Sequence, residues 1–162
     1  MTINVISDLL REVAPLLDIN EVFEDSEQAS WTIVASKDVA FTIDQDEEGE
    51  RLLVTAPVLP SPNDDAEGVL TQAMAFNADV EASRGAWFSL DGEDRVLVLG
   101  LEIDHQNLTA DRLKSALQAF VEMVGRWREK FLAMLEPRPG HFAMMASPAH
   151  ADGRGAGREL RV

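Results

Sequence analysis

The sequence predicts an α+β protein with elements in the order αβββαββα, in which helices pack on an antiparallel sheet. Three neighbouring segments between residues 31 and 58 alternate bulky side chains with small or polar ones at the period of a β-strand. A second pair of strand-like runs flanks a short loop at residues 91–94. Stretches with helical periodicity precede, separate and follow these strands. We therefore expect one α+β domain over residues 1–136.

The first helix and the three-stranded meander are expected to share one core. Apolar residues between Ile3 and Leu17 cover an arc wider than a single packing contact needs, and Pro15 should disturb the last turn. The acidic stretch Glu21–Gln28 is expected to be a connector, with room for a short strand at Val22–Phe23. The inward side of the meander consists of Trp31, Ile33, Val39, Phe41, Ile43, Leu52, Val54 and Ala56. The reverse side of the meander is only mildly polar.

Two longer helices are predicted after the meander. Ser61 and Pro62 begin the first of them, which should run to about Ala82. Thr109 caps the next, whose apolar residues recur at spacings of four and three as far as Met134. That spacing is typical of a coiled coil that joins two chains, and equally of one helix lying along a sheet. The second interpretation is favoured because the strands need a cover.

The strand pair within Ala86–Ile103 is apolar on both faces. If the loop at residues 91–94 closes symmetrically, Trp87 lies opposite Val98. An antiparallel pair with one face in water should alternate apolar and polar residues, and this pair does not. We expect the chain's own helices to cover one face and a second copy of the chain to cover the other. Burial between two layers of a single subunit is the alternative.

The predicted homodimer interface combines the outer face of this strand pair with a row of the second helix. Its residues are Phe76, Val80, Trp87, Val96 and Val98. The opposite face of the strand pair should turn into the subunit's own core. That set consists of Phe88, Leu97, Leu99 and Leu101.

Composition excludes several classes of function. The 162 residues contain no cysteine, so disulfides and thiolate nucleophiles are absent. Fourteen basic and 29 acidic residues give a formal charge of -15, which opposes binding to nucleic acid and to anionic lipid. We find no secretory leader and no apolar run that could insert into a membrane, so a cytoplasmic location is expected. Residues 137–162 are rich in Pro, Gly, Ala and Arg and are expected to form a flexible tail.

Patterns typical of catalysis or metal binding are weak. His105 stands next to Asp104 in a predicted loop and is expected to be exposed. The segment Asp44–Gly49 has acids at alternate positions like a calcium loop, but Thr55 stands where a bidentate Glu is needed, so a hairpin turn is predicted. We expect no metal and no cofactor. A small enzyme that uses a pair of acidic residues is the least favoured interpretation.

Four segments carry a resemblance to a known family. They are Leu52–Pro60, Leu70–Asn77, Gly85–Asp91 and Leu113–Trp127. Together with the element order, they resemble the Tir-chaperone (CesT-like) family of type III secretion chaperones over residues 1 to about 135. In its acidic character the chain is most similar to the broad-specificity effector chaperones of plant-pathogen Hrp secretion systems.

The resemblance implies a homodimer that performs no catalysis. It would bind N-terminal segments of effector proteins, keep them secretion-competent and deliver them to the secretion ATPase. The wide apolar arc of the first helix and the small side chains on the reverse of the meander suit an extended apolar segment. The predicted effector-binding residues are Val5, Leu9, Leu16, Val34, Ala40 and Leu53. A dimeric adaptor that uses the last helix as a coiled coil remains the alternative.

Overall fold

The computed structural model describes residues 3–35, 39–46, 50–60, 67–92 and 95–135. These residues form a six-stranded sheet with helices on one side. The order of the strands in the sheet is β1-β2-β3-β4-β6-β5, and every neighbouring pair is antiparallel. The predicted α+β class, with an antiparallel sheet and helices packed on it, is confirmed.

The bounds of the elements follow the predicted order with two additions. The helices are α1 (Ile3–Val13), α2 (Glu67–Ala78), α3 (Val80–Ser83) and α4 (Ala110–Leu135), and a 3-10 turn covers Ala14–Leu16. The strands are β1 (Ile19–Asp25), β2 (Ser30–Ala35), β3 (Val39–Asp46), β4 (Arg51–Leu59), β5 (Ala86–Asp91) and β6 (Val96–Asp104). The first addition is β1, which occupies the predicted acidic connector. The second is α3, a single turn separated from α2.

The core lies between the sheet and helices α1 and α4. Every residue of the predicted inward set is buried. Ile6, Leu10 and Val13 of α1 are buried with them, and the indole N–H of Trp31 donates to Ser7 Oγ at 3.1 Å. This bond joins α1 to β2 inside an otherwise apolar contact. The α-helix ends before Pro15 as expected, because proline has no N–H to donate. Pro15 lies in the 3-10 turn that follows.

Helix α4 lies along the sheet of its own subunit. The Thr109 hydroxyl accepts the backbone N–H of Arg112, which begins the helix as predicted. The residues with heptad-like spacing that are buried against the core are Leu113, Leu117, Phe120, Val124 and Phe131. Because the sheet already covers this seam, the basis for an adaptor built on a coiled coil is removed.

The register of the β5–β6 pair differs from the prediction by two residues. Trp87 lies opposite Gly100, whereas Val98 lies opposite Ser89. The loop begins one residue later than expected because Asp91 and Val96 still pair, and Gly92 and Arg95 adopt left-handed conformations with φ of 63° and 50°. A shift of two leaves every side chain on its predicted face.

Helix α2 ends earlier than predicted. It stops at Ala78, and the Asp79 side chain accepts the backbone N–H of Ala82 at 2.9 Å to cap the separate turn α3. The predicted start at Ser61 and Pro62 and the predicted tail at residues 137–162 lie outside the described residues. None of the described helices is both long enough and apolar enough to cross a membrane.

Candidate functional site

One edge of the sheet is formed by β1, and no described strand pairs with its outer side. Six of its seven residues are exposed, and Phe23 has 56% of its surface in solvent. An edge strand carries a row of backbone N–H and C=O groups that can pair with an added strand. The register with β2 places Glu21, Phe23 and Asp25 on the side of the sheet opposite the helices. The sequence had indicated only a short strand here.

The other edge of the sheet is formed by β5, and the side chain of Asn77 from α2 bonds to it. Asn77 Oδ1 accepts the Phe88 backbone N–H at 2.7 Å, and Asn77 Nδ2 donates to the Phe88 carbonyl at 2.9 Å. The amide thus takes the place of a neighbouring strand. The Phe88 ring is held by Phe76, Trp127 and Phe131, whose ring centroids lie 5.3 to 5.5 Å away. Sequence reasoning missed this role, although the polar Asn77 ends an otherwise apolar row of α2.

The face of the sheet opposite the helices, called the open face, is only partly shielded from solvent. A central row crosses all six strands, with an aromatic residue at each end and small residues between them. It consists of Phe23, Thr32, Thr42, Thr55, Gly100 and Trp87. The hydroxyls of Thr42 and Thr55 lie 2.7 Å apart and bond to each other. This pairing leaves the middle of the row shallow and weakly polar.

The open face changes character along the strands. On one side of the central row, Ala40, Pro57, Val96 and Val98 line an apolar groove of about 390 Å³. On the other side lie the acidic end of the face and Arg51. Arg51 bonds to Glu102 at 2.7 Å and to Asp46 at 3.3 Å, and its pKa is raised mainly by the Glu102 carboxylate. An apolar strip therefore borders a negatively charged one.

The predicted effector-binding residues divide between two sides of the sheet. Val5 and Leu16 are exposed on the helix side, with Leu9 half-buried near them. Val34 pairs with Ala40 on the open face. Leu53 is also on the open face, but it pairs with Asp44, four residues from Ala40 along β3, or about 13 Å. The structure therefore does not bring the six residues into one patch.

The predicted interface residues occupy three different environments. Trp87, Val96 and Val98 are half-buried on the open face, and Val80 is 81% exposed on α3. Phe76 is only 7% exposed and packs against Trp127 inside the subunit. The prediction had placed Phe76 in the interface, but the structure places it in the core. The early end of α2 explains the difference, because it separates Val80 from the buried row.

A groove of about 1090 Å³ lies between α4 and the α3–β5 turn. Its four acidic residues, Glu81, Glu102, Asp104 and Glu122, are exposed, and the basic residues Arg84, Arg126 and Lys130 line the same groove. Among the described residues, no cluster of His, Asp and Glu is arranged to hold a metal ion. His105 is buried at 4% exposure, contrary to the prediction. Its backbone N–H donates to the Glu50 carbonyl, and its carbonyl accepts the Leu108 N–H.

An open strand edge beside a weakly polar sheet face, on a strongly acidic body, is typical of modules that bind extended polypeptide. The model of the Tir chaperone protein (CesT) family matches residues 8–128. The chain therefore belongs to this family, and by class it is a chaperone of type III secretion effectors. No curated protein matches the chain.

Solved structures share the fold. The ExsC-ExsE complex has a TM-score of 0.64 and 22% identity, over 78% of this chain and 92% of that chain. The HopA1-SchA chaperone-effector complex has a TM-score of 0.60 and 20% identity, over 78% and 95% of the two chains. The ExoU-SpcU complex from the type III secretion system of Pseudomonas aeruginosa has a TM-score of 0.50 and 15% identity, over 81% and 97%.

Proposed function

We propose that the protein is a cytoplasmic, homodimeric type III secretion chaperone without catalytic activity. It binds N-terminal segments of effector proteins, keeps them secretion-competent and delivers them to the secretion ATPase. The observation that carries this proposal is the outer side of β1, with which no described strand pairs and beside which Phe23 is exposed. An effector segment held there is extended and unfolded, which is the state that secretion requires.

Strand pairing alone gives little selectivity, so side-chain pockets must add to it. The six predicted residues lie on both sides of the sheet, with Val5, Leu9 and Leu16 on the helix side and the other three on the open face. Val34 is on β2 next to β1, whereas Ala40 and Leu53 are further in, on β3 and β4. Burying a client Leu or Val contributes about 1.5 to 3 kcal/mol. Several such contacts are needed to offset about 2 to 5 kcal/mol for ordering a disordered segment. A client that crosses from one side of the sheet to the other meets both groups.

Co-purification with candidate effectors tests the proposal, and two double variants separate the two groups. Val5→Gln/Leu16→Gln changes the helix side, and Val34→Thr/Leu53→Thr changes the open face. We expect both variants to fold and each to retain less effector than the parent. Leu132→Gln removes a comparably exposed leucine from α4 and should retain effector fully. Full retention by both double variants would contradict the predicted site.

The homodimer is supported by the β5–β6 part of the open face, where Trp87, Val96 and Val98 are half-buried. A second copy packed there covers side chains that water otherwise contacts. Light scattering should give twice the mass of the chain. A folded, soluble monomer at micromolar concentration would overturn this part of the proposal and leave the rest in place.

A further inference from the structure

The side chains of β1 impose a charge pattern on any strand that pairs with it. On the open face, Phe23 lies between Glu21 and Asp25, each two residues away. All three are exposed. A residue directly opposite in a neighbouring strand lies about 5 Å away on the same face. The added strand therefore presents one side chain to Phe23 and its two same-face neighbours to the two acids.

We propose that β1 selects an extended segment of another protein with a basic, an apolar and a basic residue at alternate positions. The apolar residue packs on Phe23, and the basic residues face Glu21 and Asp25. This inference rests on the proposed function and specifies the class of client. The helix side of β1 adds a further acid, because Glu24 lies there within 3.6 Å of Arg11.

A second copy of this chain does not fit the same edge. If two β1 strands paired antiparallel about Phe23, each Glu21 would face the other chain's Asp25, and like charges opposite each other are destabilising. The formal charge of -15 on each chain opposes that approach further. Negative charge on an edge strand is also a common protection against self-pairing. The pattern therefore favours a basic partner over a second copy.

Two synthetic peptides of identical composition test the order of residues. Thr-Val-Lys-Thr-Val-Thr-Lys-Val-Thr places both lysines on the face of its central valine, with the required spacing. Thr-Lys-Val-Thr-Val-Thr-Val-Lys-Thr places them on the other face. Titrated against the full chain by fluorescence anisotropy, the first should bind about fivefold more tightly than the second. Equal affinities, or no binding of either peptide, would overturn the inference.

The variant Glu21→Gln/Asp25→Asn tests whether these two carboxylates are responsible. Asp25 Oδ1 accepts the N–H groups of Glu27 and Gln28, at 3.1 and 3.2 Å, and Asn keeps that acceptor, so the turn is preserved. The preference between the peptides should disappear. The control Asp111→Asn/Glu129→Gln removes the same charge from exposed positions of α4 and should keep the preference.

The same variants distinguish this inference from the proposed function. If Glu21→Gln/Asp25→Asn keeps the fivefold preference, the inference is wrong, whether or not effectors still co-purify. If the peptide preference follows the prediction but no effector co-purifies with the parent, the inference holds and the proposed function fails. Larger assemblies of the parent chain linked through β1 would also overturn the inference, because they would show that the edge accepts a second copy.

Discussion

The two edges of the sheet are built in opposite ways. At β5 a side-chain amide occupies the backbone groups of Phe88, and the Phe88 ring is 2% exposed. At β1 no described strand occupies the outer side, and the Phe23 ring is mostly in solvent. An unprotected edge invites pairing with other chains, and natural sheets generally cover or charge their edges. One edge here is covered, and the other is charged and has no strand beside it within the described part of the chain.

The difference shows that openness at β1 is a local feature and not a general property of this sheet. In an edge strand, alternate residues direct their backbone N–H and C=O groups away from the sheet. Phe88 is the middle residue of this kind in β5, because its backbone groups bond to Asn77 and not to β6. Bonding that one residue leaves only isolated outward groups at either end of a short strand. An added strand would therefore find fewer free backbone groups at β5 than at β1.

Among the changes to edge hydrogen bonding and to the central row, replacing Asn77 by Val should have the largest effect on stability. The substitution leaves the Phe88 N–H and C=O without partners in a half-buried position, and we expect a loss of about 3 kcal/mol in the free energy of unfolding. Urea denaturation measures the loss, and amide hydrogen exchange should show faster exchange at Phe88. Gln72→Val is the matched control, because that amide lies on the same helix and its oxygen accepts from exposed Lys130 and not from a strand edge. A loss below about 0.5 kcal/mol for Asn77→Val would contradict the interpretation that the Asn77 amide closes the edge at β5.

The parts of the fold that sequence predicted are those where burial imposes a period. The inward set of the meander and the seam of α4 follow spacings of two and of three or four, because each must face one apolar layer. Strand β1 faces water on both sides, so Val22 and Phe23 stand next to each other and no alternation remains. The β5–β6 register depends on left-handed residues in the loop, and an arginine such as Arg95 does not indicate a left-handed conformation from sequence.

The candidate site was predicted only in part for the same reason. Val34, Ala40 and Leu53 are on the open face as expected, since strand periodicity assigns faces. Periodicity does not give the distance between residues on different strands, so the separation of Leu53 from Ala40 could not be foreseen. Nor does it reveal a bond such as Asn77 to Phe88, which joins a helix to a strand edge eleven residues further along the chain.

Gly100→Ala should have an intermediate effect on stability. Gly100 lies in the central row on β6, next to Trp87 on the edge strand β5. A Cβ at Gly100 would lie 2.6 Å from the Trp87 ring, so the indole, which packs over Gly100, would have to move. We expect a loss of about 2 kcal/mol in the free energy of unfolding, together with a change in Trp fluorescence. Gly125→Ala is the control, because no atom lies within 4 Å of its added Cβ and alanine favours the helix by about 1 kcal/mol. Equal and neutral effects of both substitutions would show that Trp87 is not held against Gly100.

Phe23→Ala should have the smallest effect on stability and therefore gives the sharpest contrast between the edges. Because the Phe23 ring is exposed, its loss should change the free energy of unfolding by less than about 0.5 kcal/mol. Phe88→Ala, the same substitution on β5, creates a cavity among packed rings and should cost about 3 to 5 kcal/mol. Client retention should behave in the opposite sense, since Phe23→Ala removes the apolar contact at the open edge and should lower the amount of co-purified effector. If Phe23→Ala destabilises the fold as much as Phe88→Ala does, β1 is not an open edge.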